Sequence, residues 1–358
     1  MTSLPPDSLD RWLKLATESG ASDLHLVAGY PPVLRIHGRL REVAETTLDG
    51  ETIAGLVLPL VPPPLVERFE QQQGLDLSLE RGLFGRPQRF RVNLFLARGA
   101  HGACFRVIPA EIPTLKWAGF PLPLAQELAH FRNGLVLVTG VAGAGKTTTL
   151  AMVINLLNQE GGYRIVTIEE PVEYVFPSAA GSIVTQREVG LDVPTFADGL
   201  KHALRQDPDV ILVGEIRDRD TAAMALSAAE TGHLVFATLH TRDAKGAISR
   251  LADLFPQDVQ AEIRGQLAMS LRAVISQHLL PSIDDDARRE LALEILFNDH
   301  RIASGIRQGK IESIDNAILT GRAQGMVTLS ESIKRLHDAG RISREVAERH
   351  VADPAMLG

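Results

Sequence analysis

The sequence predicts an α/β fold: a parallel sheet covered by helices on both faces, with a smaller α+β region before it and a helical region after it. Three observations carry that prediction. Four short apolar runs, Leu135–Thr139, Ile165–Ile168, Val210–Val213 and Leu234–Thr238, alternate with helical stretches at Lys146–Asn158, Phe196–Arg205 and Thr221–Glu230. Strands apolar at every position are buried on both faces, as parallel strands between helices are. The first hundred residues instead mix alternating strand patterns with helical ones, and Pro109, Pro113, Pro121 and Pro123 separate the two regions. Such proline density resists regular structure and suits a hinge.

Asp7 to Ser19 reads as an amphipathic helix with Leu9, Trp12, Leu13 and Leu15 inward. Asp23–Val27 and Val33–Ile36 read as strands with Tyr30-Pro31-Pro32 as their turn. A helical stretch covers Leu48–Leu60, Pro62-Pro63-Pro64 stops it, and a new helix starts near Leu65. Leu75–Leu79, Arg89–Phe95 and Ala103–Ile108 read as three further strands, with RGLFGRPQ as one connecting loop. After Asp243 the chain reads as mostly helical. The expected domains are therefore 1–110, a linker at 111–123, and 124–358 with its helical part from about 243.

The 358 residues are enough for two domains that each bury a core without metal or disulfides. The lone cysteine, Cys104, reads as a small core residue, and no Cys/His cluster has zinc-ligand spacing. The N-terminus lacks the basic and apolar regions of a signal peptide, and no apolar run approaches the roughly 20 residues of a membrane span, so the chain reads as cytosolic. A net charge of −7 speaks against nucleic acid as the partner.

The sharpest motif is Gly140-Val141-Ala142-Gly143-Ala144-Gly145-Lys146-Thr147, which satisfies G-x-x-x-x-G-K-[ST] between strand LVLVT and helix KTTTLAMVINLLN. Its glycines let backbone N–H groups converge on phosphate oxygens, and the new helix adds positive potential at its N-terminus. Lys146 is expected to reach the β- and γ-phosphates, and Thr147 to offer its hydroxyl to Mg²⁺. ATP and Mg²⁺ are the implied substrate and metal.

Hydrolysis further needs a group that orients or deprotonates water. Glu215 ends the apolar strand VILVG and is the first choice for general base and for a magnesium-bound water; a solvated strand-end carboxylate is the competing reading. Glu169 leads a second acidic cluster with Glu170 and Glu173, where a solvated acidic turn competes for the latter two. His240 follows the strand LVFATL, placed to sense the γ-phosphate or its water, whereas His233 reads as structural. Arg91 and Arg106, on adjacent strands of the first region, are candidates for an arginine supplied by a neighbouring subunit, with surface salt bridges as the alternative.

This constellation resembles the type IV pilus retraction ATPases (PilT- and PilU-like) of the secretion ATPase superfamily, over nearly the whole chain. ASDLHLVAGYPP resembles the start of the family's N-terminal domain. GVAGAGKTT matches its Walker A and adds Thr148 to the nucleotide-binding set; TIEEPVEYVF matches its Asp box, DPDVILVGEIRD its Walker B and AAETGHLVFATLHT its His box. VTQREVG and GMVTL also fit. The resemblance implies a RecA-like P-loop ATPase domain and a PAS-like N-terminal domain. It implies a homo-hexamer in which Arg91 and Arg106 of one subunit meet the nucleotide of the next, with Lys146, Glu215, Glu169 and His240 as site residues. It also implies an inner-membrane pilus platform protein as partner, a second pilus ATPase as companion, and a cytoplasmic location peripheral to the inner membrane.

Three departures stand out. The Asp box has Glu170 where the family has aspartate, Val141-Ala142 replace Pro-Thr, and the C-terminal retraction motif AIRNLIRE is matched by RIASGIRQ, which retains only Ile302, Ile306 and Arg307. The alternative is an accessory PilU-like or regulatory ATP-binding paralogue; a secretion or DNA-uptake translocase ranks third. The pilus-extension and type II secretion ATPases carry a tetracysteine module that this sequence lacks.

Overall fold

The computed structural model describes residues 7–284 and 289–358; residues 1–6, where the signal-peptide reading and the first domain begin, lie outside them. The chain divides into two compact units. One runs to Glu111 and adds Glu170–Val175 and Glu188–Pro194; the other holds Ile112–Glu169, Phe176–Arg187 and Thr195–Gly358.

The first unit is built on strands β1 (Asp23–Leu26), β2 (Val33–Ile36), β3 (Arg39–Glu42), β4 (Gly74–Leu83), β5 (Arg86–Ala97) and β6 (Ala100–Ile108), in the order β3-β2-β1-β6-β5-β4. Every pairing is antiparallel. Period-two alternation sends Phe90, Val92 and Leu94 into the core. Helices α1 (Asp7–Glu18), α2 (Gly50–Val57) and α3 (Pro63–Gln72) contribute Leu13, Ile53 and Phe69 to the same core. On α1 the inward stripe is Leu9, Trp12, Leu13 and Ala16, while Leu15 is 38% exposed. Positions 9, 12, 13 and 16 repeat at the spacing of one helix face, and Leu15 falls off it.

RGLFGRPQ is not a loop. Strands β4 and β5 pair through it to Leu83↔Arg86, leaving Phe84-Gly85 as a two-residue turn. Both turn residues have positive φ, 55° and 72°, the conformation that matches the twist of a tight hairpin and that glycine adopts readily. The segments borrowed from later in the chain are stitched onto this sheet. The buried Glu188 carboxylate accepts from Ser78 Oγ (2.6 Å) and from the Val172 N–H (3.1 Å), and Arg89 Nη2 donates to Val172 O (2.9 Å).

The second unit opens with α4 (Leu115–Ala118) and α5 (Leu122–Ala129). The prolines expected to keep 111–123 irregular thus admit two helices. Pro121 caps α5 and Pro123 lies in its first turn, where a missing N–H costs nothing. The sheet comprises β7 (Gly134–Thr139), β8 (Arg164–Glu169), β9 (Ile183–Glu188), β10 (Val210–Val213), β11 (Leu234–Leu239), β12 (Leu271–Pro281) and β13 (Arg289–Phe297), ordered β13-β12-β7-β11-β10-β8-β9. From β12 to β8 the pairings are parallel, and β13 runs antiparallel to β12. Every residue of β7, β10 and β11 is buried. Helices α6 (Lys146–Glu160), α7 (Phe196–Ala203), α8 (Arg219–Glu230), α9 (Ala244–Asp253) and α10 (Gln260–Ser270) connect the strands.

The stretch after Asp243 is not helical throughout. β12 and β13 interrupt it, and helices resume as α11 (His300–Gln308), α12 (Ser313–Thr320), α13 (Leu329–Asp338) and α14 (Arg344–Glu348). The apolar run at 273–275 is too short for its period to separate strand from helix. A satellite core of Leu280, Ala292, Ile333, Ile342 and Ala347 seats the last helices on the β12–β13 pair. Among the described residues no helix is long and apolar enough to cross a membrane.

Candidate nucleotide site

Parallel register brings the C-terminal ends of β7, β11, β10 and β8 to one edge of the sheet, with Thr139 opposite Leu239 and Val213 opposite Ile168. The loop 140–145 leaves β7 at that edge and turns directly into α6. The first turn of α6 carries backbone N–H groups without intrahelical partners, which makes this edge attractive to an anion. Val141, Ala142, Gly143 and Thr147 are exposed there, while Ala144 and Lys146 are buried.

Lys146 Nζ donates to Gly140 O (2.8 Å) and Val141 O (3.2 Å) and lies 3.3 Å from His240 Nδ1. Burial lowers its pKa, and the charge of Glu215 opposes that shift. Since the ammonium can only donate, His240 Nδ1 accepts, which leaves the ring proton on Nε2. That nitrogen sits 3.3 Å from Glu215 Oε1. Glu215 Oε2 in turn accepts from Arg217 Nε at 2.9 Å. Three residues distant in sequence therefore form one line, Lys146–His240–Glu215, across the ends of β7, β11 and β10.

Short hydroxyl contacts hold those strand ends. Thr238 Oγ1 donates to Gly214 O (2.5 Å), fixing the turn that presents Glu215. Thr139 Oγ1 bonds Thr241 O and accepts from the Thr241 N–H, fixing the turn after His240. No cluster of three or more His, Cys, Asp or Glu that could hold a metal occurs among the described residues. Mg²⁺ at a triphosphate needs no such cage: one or two hard oxygens, phosphates and waters suffice. The exposed Thr147 hydroxyl and the Glu215 carboxylate, with 18% of its side chain exposed, are oxygen donors of that kind.

The acidic cluster at 169–173 is dispersed. Glu169 is buried, and its Oε1 accepts from Thr167 Oγ1 (2.7 Å) and Gln186 Nε2 (3.1 Å). Gln186 also accepts from the Phe176 N–H. Glu170 lies 3.6 Å from Arg68, and Glu173 lies 3.6 Å from Arg91. Separate cationic or hydrogen-bonding partners relieve the repulsion that three adjacent carboxylates would otherwise feel. His233 sits at the opposite sheet edge, with Nδ1 3.1 Å from Ala228 O.

Arg91 and Arg106 are directly opposed across β5 and β6. Like charges so placed are unfavourable unless acids flank them. Asp76 lies 3.5 Å from Arg91, and Asp23 accepts from Arg106 Nε at 2.9 Å. Within the single chain, both make the surface salt bridges that were their competing reading.

Gln277 was not legible as a site residue. Its buried side chain donates through Nε2 to Ala144 O at 2.5 Å, inside the phosphate loop. Its backbone oxygen lies where a side chain at Gly140 would have to go: a Cβ there would stand 2.5 Å from Gln277 O and 2.9 Å from the Ala144 Cβ, on a backbone with φ +150°. Gly140→Ala should therefore lower stability by about 1–3 kcal/mol and weaken ATP binding together. Thermal unfolding and an ATP titration of the variant measure both.

Residues 5–351 match the family described as type II/IV secretion system protein. The Pseudomonas aeruginosa type IV pilus retraction ATPase PilT is 41% identical over 342 residues, which cover 96% of this chain and 97% of that protein. The type IV pilus ATPase PilU of the same organism is 37% identical, covering 97% of this chain and 89% of that protein. The crystal structure of the pilus retraction motor PilT with bound ADP superposes with a TM-score of 0.84 at 42% identity, covering 97% of this chain and 98% of that one.

Proposed function

The chain belongs to the type II/IV secretion system protein family, and on that premise we propose that it is an ATP-hydrolysing motor subunit that drives type IV pilus retraction. The single observation that carries the ATPase reading is the Lys146–His240–Glu215 line across the strand ends beside the phosphate loop. The similarity to PilT, which spans nearly both chains and includes a structure with bound ADP, supports retraction as the work done.

In this proposal the loop N–H groups and Lys146 bind the phosphates of ATP. Lys146 exchanges its carbonyl contacts at Gly140 and Val141 for phosphate oxygens. Thr147 and Glu215 are the residues that would hold Mg²⁺, Glu215 through water; the ion would supply charge neutralisation on the phosphates. Glu215 takes a proton from the attacking water, and His240, bonded to both Glu215 and Lys146, reports whether the γ-phosphate has drawn Lys146 away. Glu169, held by Gln186, orients water from the adjoining strand end. Six subunits form a ring in which Arg91 and Arg106 of one face the triphosphate of the next. Hydrolysis removes the charge those arginines hold and opens that interface. The ring works on the cytoplasmic face of the inner membrane, against a platform protein of the pilus machine.

A second reading, an accessory PilU-like subunit, is favoured by the segment RIASGIRQ on α11. Of its three retained positions, Ile302 and Ile306 are buried, so packing alone accounts for them, and only Arg307 is an exposed match. A strain lacking the protein separates the readings. Abundant pili without twitching are expected for the main retraction motor, near-normal twitching for an accessory subunit. Cells without pili would overturn both.

A further inference from the structure

We infer that Gln277 is a positioning residue for the phosphate loop: its buried amide orients the Ala144–Gly145 peptide so that the Gly145 N–H faces the phosphates of the nucleotide. This deepens the ATPase reading and rests on it.

Strand β12 lies beside β7 with Ser276 opposite Thr139, the last residue of β7. Gln277 thus stands one step beyond the end of β7, alongside the start of the phosphate loop. Its side chain is 1% exposed and reaches Ala144 O, 2.5 Å from Nε2. A trans peptide is planar, so its C=O and N–H point in opposite directions. Drawing the Ala144 carbonyl toward β12 turns the Gly145 N–H away from β12. The rest of this stretch is fixed as well. The Ala144 N–H donates to Val141 O (3.1 Å), and Gly145 O accepts from the Thr149 N–H (3.0 Å). The Gly140 and Val141 carbonyls accept from Lys146 Nζ, whereas the Ala144 carbonyl takes its side-chain bond from Gln277, and Gly145 is the residue that caps α6.

The amide is also a poor choice for packing alone. Gln277 Oε1 has no hydrogen-bond partner among the described residues, an unfavourable state for a buried carbonyl oxygen. Ala273, Val274, Ile275 and Leu280 on the same strand are all buried and apolar. The amide orientation follows from the bond it makes, because reversing it would set Oε1 against the Ala144 carbonyl.

Two substitutions test the assignment. Gln277→Met keeps the length of the side chain and removes the donor. It should fold with an unchanged circular dichroism spectrum, bind ATP and ADP about tenfold more weakly, and raise KM with kcat within about twofold. Gln277→Glu places a carboxylate against the carbonyl at alkaline pH. As pH falls and the introduced carboxyl takes up a proton, it can donate as the amide did. Its ATP affinity, relative to the unaltered protein at each pH, should therefore recover on acidification, and that of Gln277→Met should not. Lys146→Ala provides the control. If Gln277→Met binds ATP as tightly as the unaltered protein while Lys146→Ala does not bind, the role of Gln277 is overturned and the ATP site stands. Should Gln277→Met fail to fold, a flat pH response of Gln277→Glu overturns it instead. If the unaltered protein binds neither ATP nor ADP, both conclusions fall.

Discussion

Glu215→Gln should lower ATP turnover by about 10²–10⁴-fold while leaving ATP binding nearly intact. The geometry separates the two effects. The groups expected to grip the phosphates are the loop N–H groups and Lys146, and Lys146 is held by the Gly140 and Val141 carbonyls independently of Glu215. Glutamine keeps the shape of the side chain and an oxygen for the His240 Nε2–H, which stands 3.3 Å from Glu215 Oε1. What it lacks is a basic oxygen able to take a proton from water. Phosphate release at saturating ATP reads turnover, and a titration with labelled ATP reads binding. Turnover within a few fold of the unaltered protein would remove Glu215 from the chemistry. Loss of binding with turnover would make it a structural support of the loop.

Arg106→Ala should lower turnover by about 10³-fold, the scale on which an arginine from a neighbour acts. Arg91→Ala should act in the same direction. The fold should survive both changes. The Arg106 side chain is 60% exposed, but the Asp23 carboxylate it donates to is only 6% exposed, so its loss leaves a buried acid without that partner and should lower stability by about 1–3 kcal/mol. Removing either arginine also relieves the like-charge contact between two residues directly opposed on β5 and β6. Collapsed turnover with the fold retained, and for Arg106→Ala a melting temperature lowered by a few degrees, is therefore the expected pattern. Mixing supplies the sharper measurement. Arg106→Ala subunits retain Glu215, and Glu215→Gln subunits retain Arg106. Co-assembled rings should regain turnover at interfaces where the intact members of the two sets meet. Two inactive pools that stay inactive after mixing would count against a site completed by a neighbour.

The parallel strands were legible because burial on both faces leaves an unbroken apolar run, as at Val210–Val213 and Leu234–Thr238. The loop between β7 and α6 was legible because G-x-x-x-x-G-K-[ST] admits few residue types at fixed spacing. Lys146, His240 and Glu215 were each visible as residues that end a strand or open a helix, and their mutual contacts follow from the parallel register. Gln277 was invisible for a physical reason. It reaches the loop from β12, 133 residues after Ala144, and a glutamine between Ser276 and His278 carries no motif. β12 itself was obscured because a short apolar run has no readable period. The β4–β5 turn was misread because Phe84, a bulky residue, occupies a position with φ 55°. Gln186, which holds both Glu169 and the Phe176 N–H, entered only as a letter of VTQREVG.

The sheet of the first unit takes part of its covering from Glu170–Val175 and Glu188–Pro194, stretches encoded far downstream. A fragment ending at Glu111 would strip Ser78 on β4 of the Glu188 carboxylate and Arg89 on β5 of the Val172 carbonyl. The two halves of this gene cannot be shuffled as independent cassettes. An insertion or crossover that respects the N-terminal boundary alone keeps all six strands but loses these downstream partners.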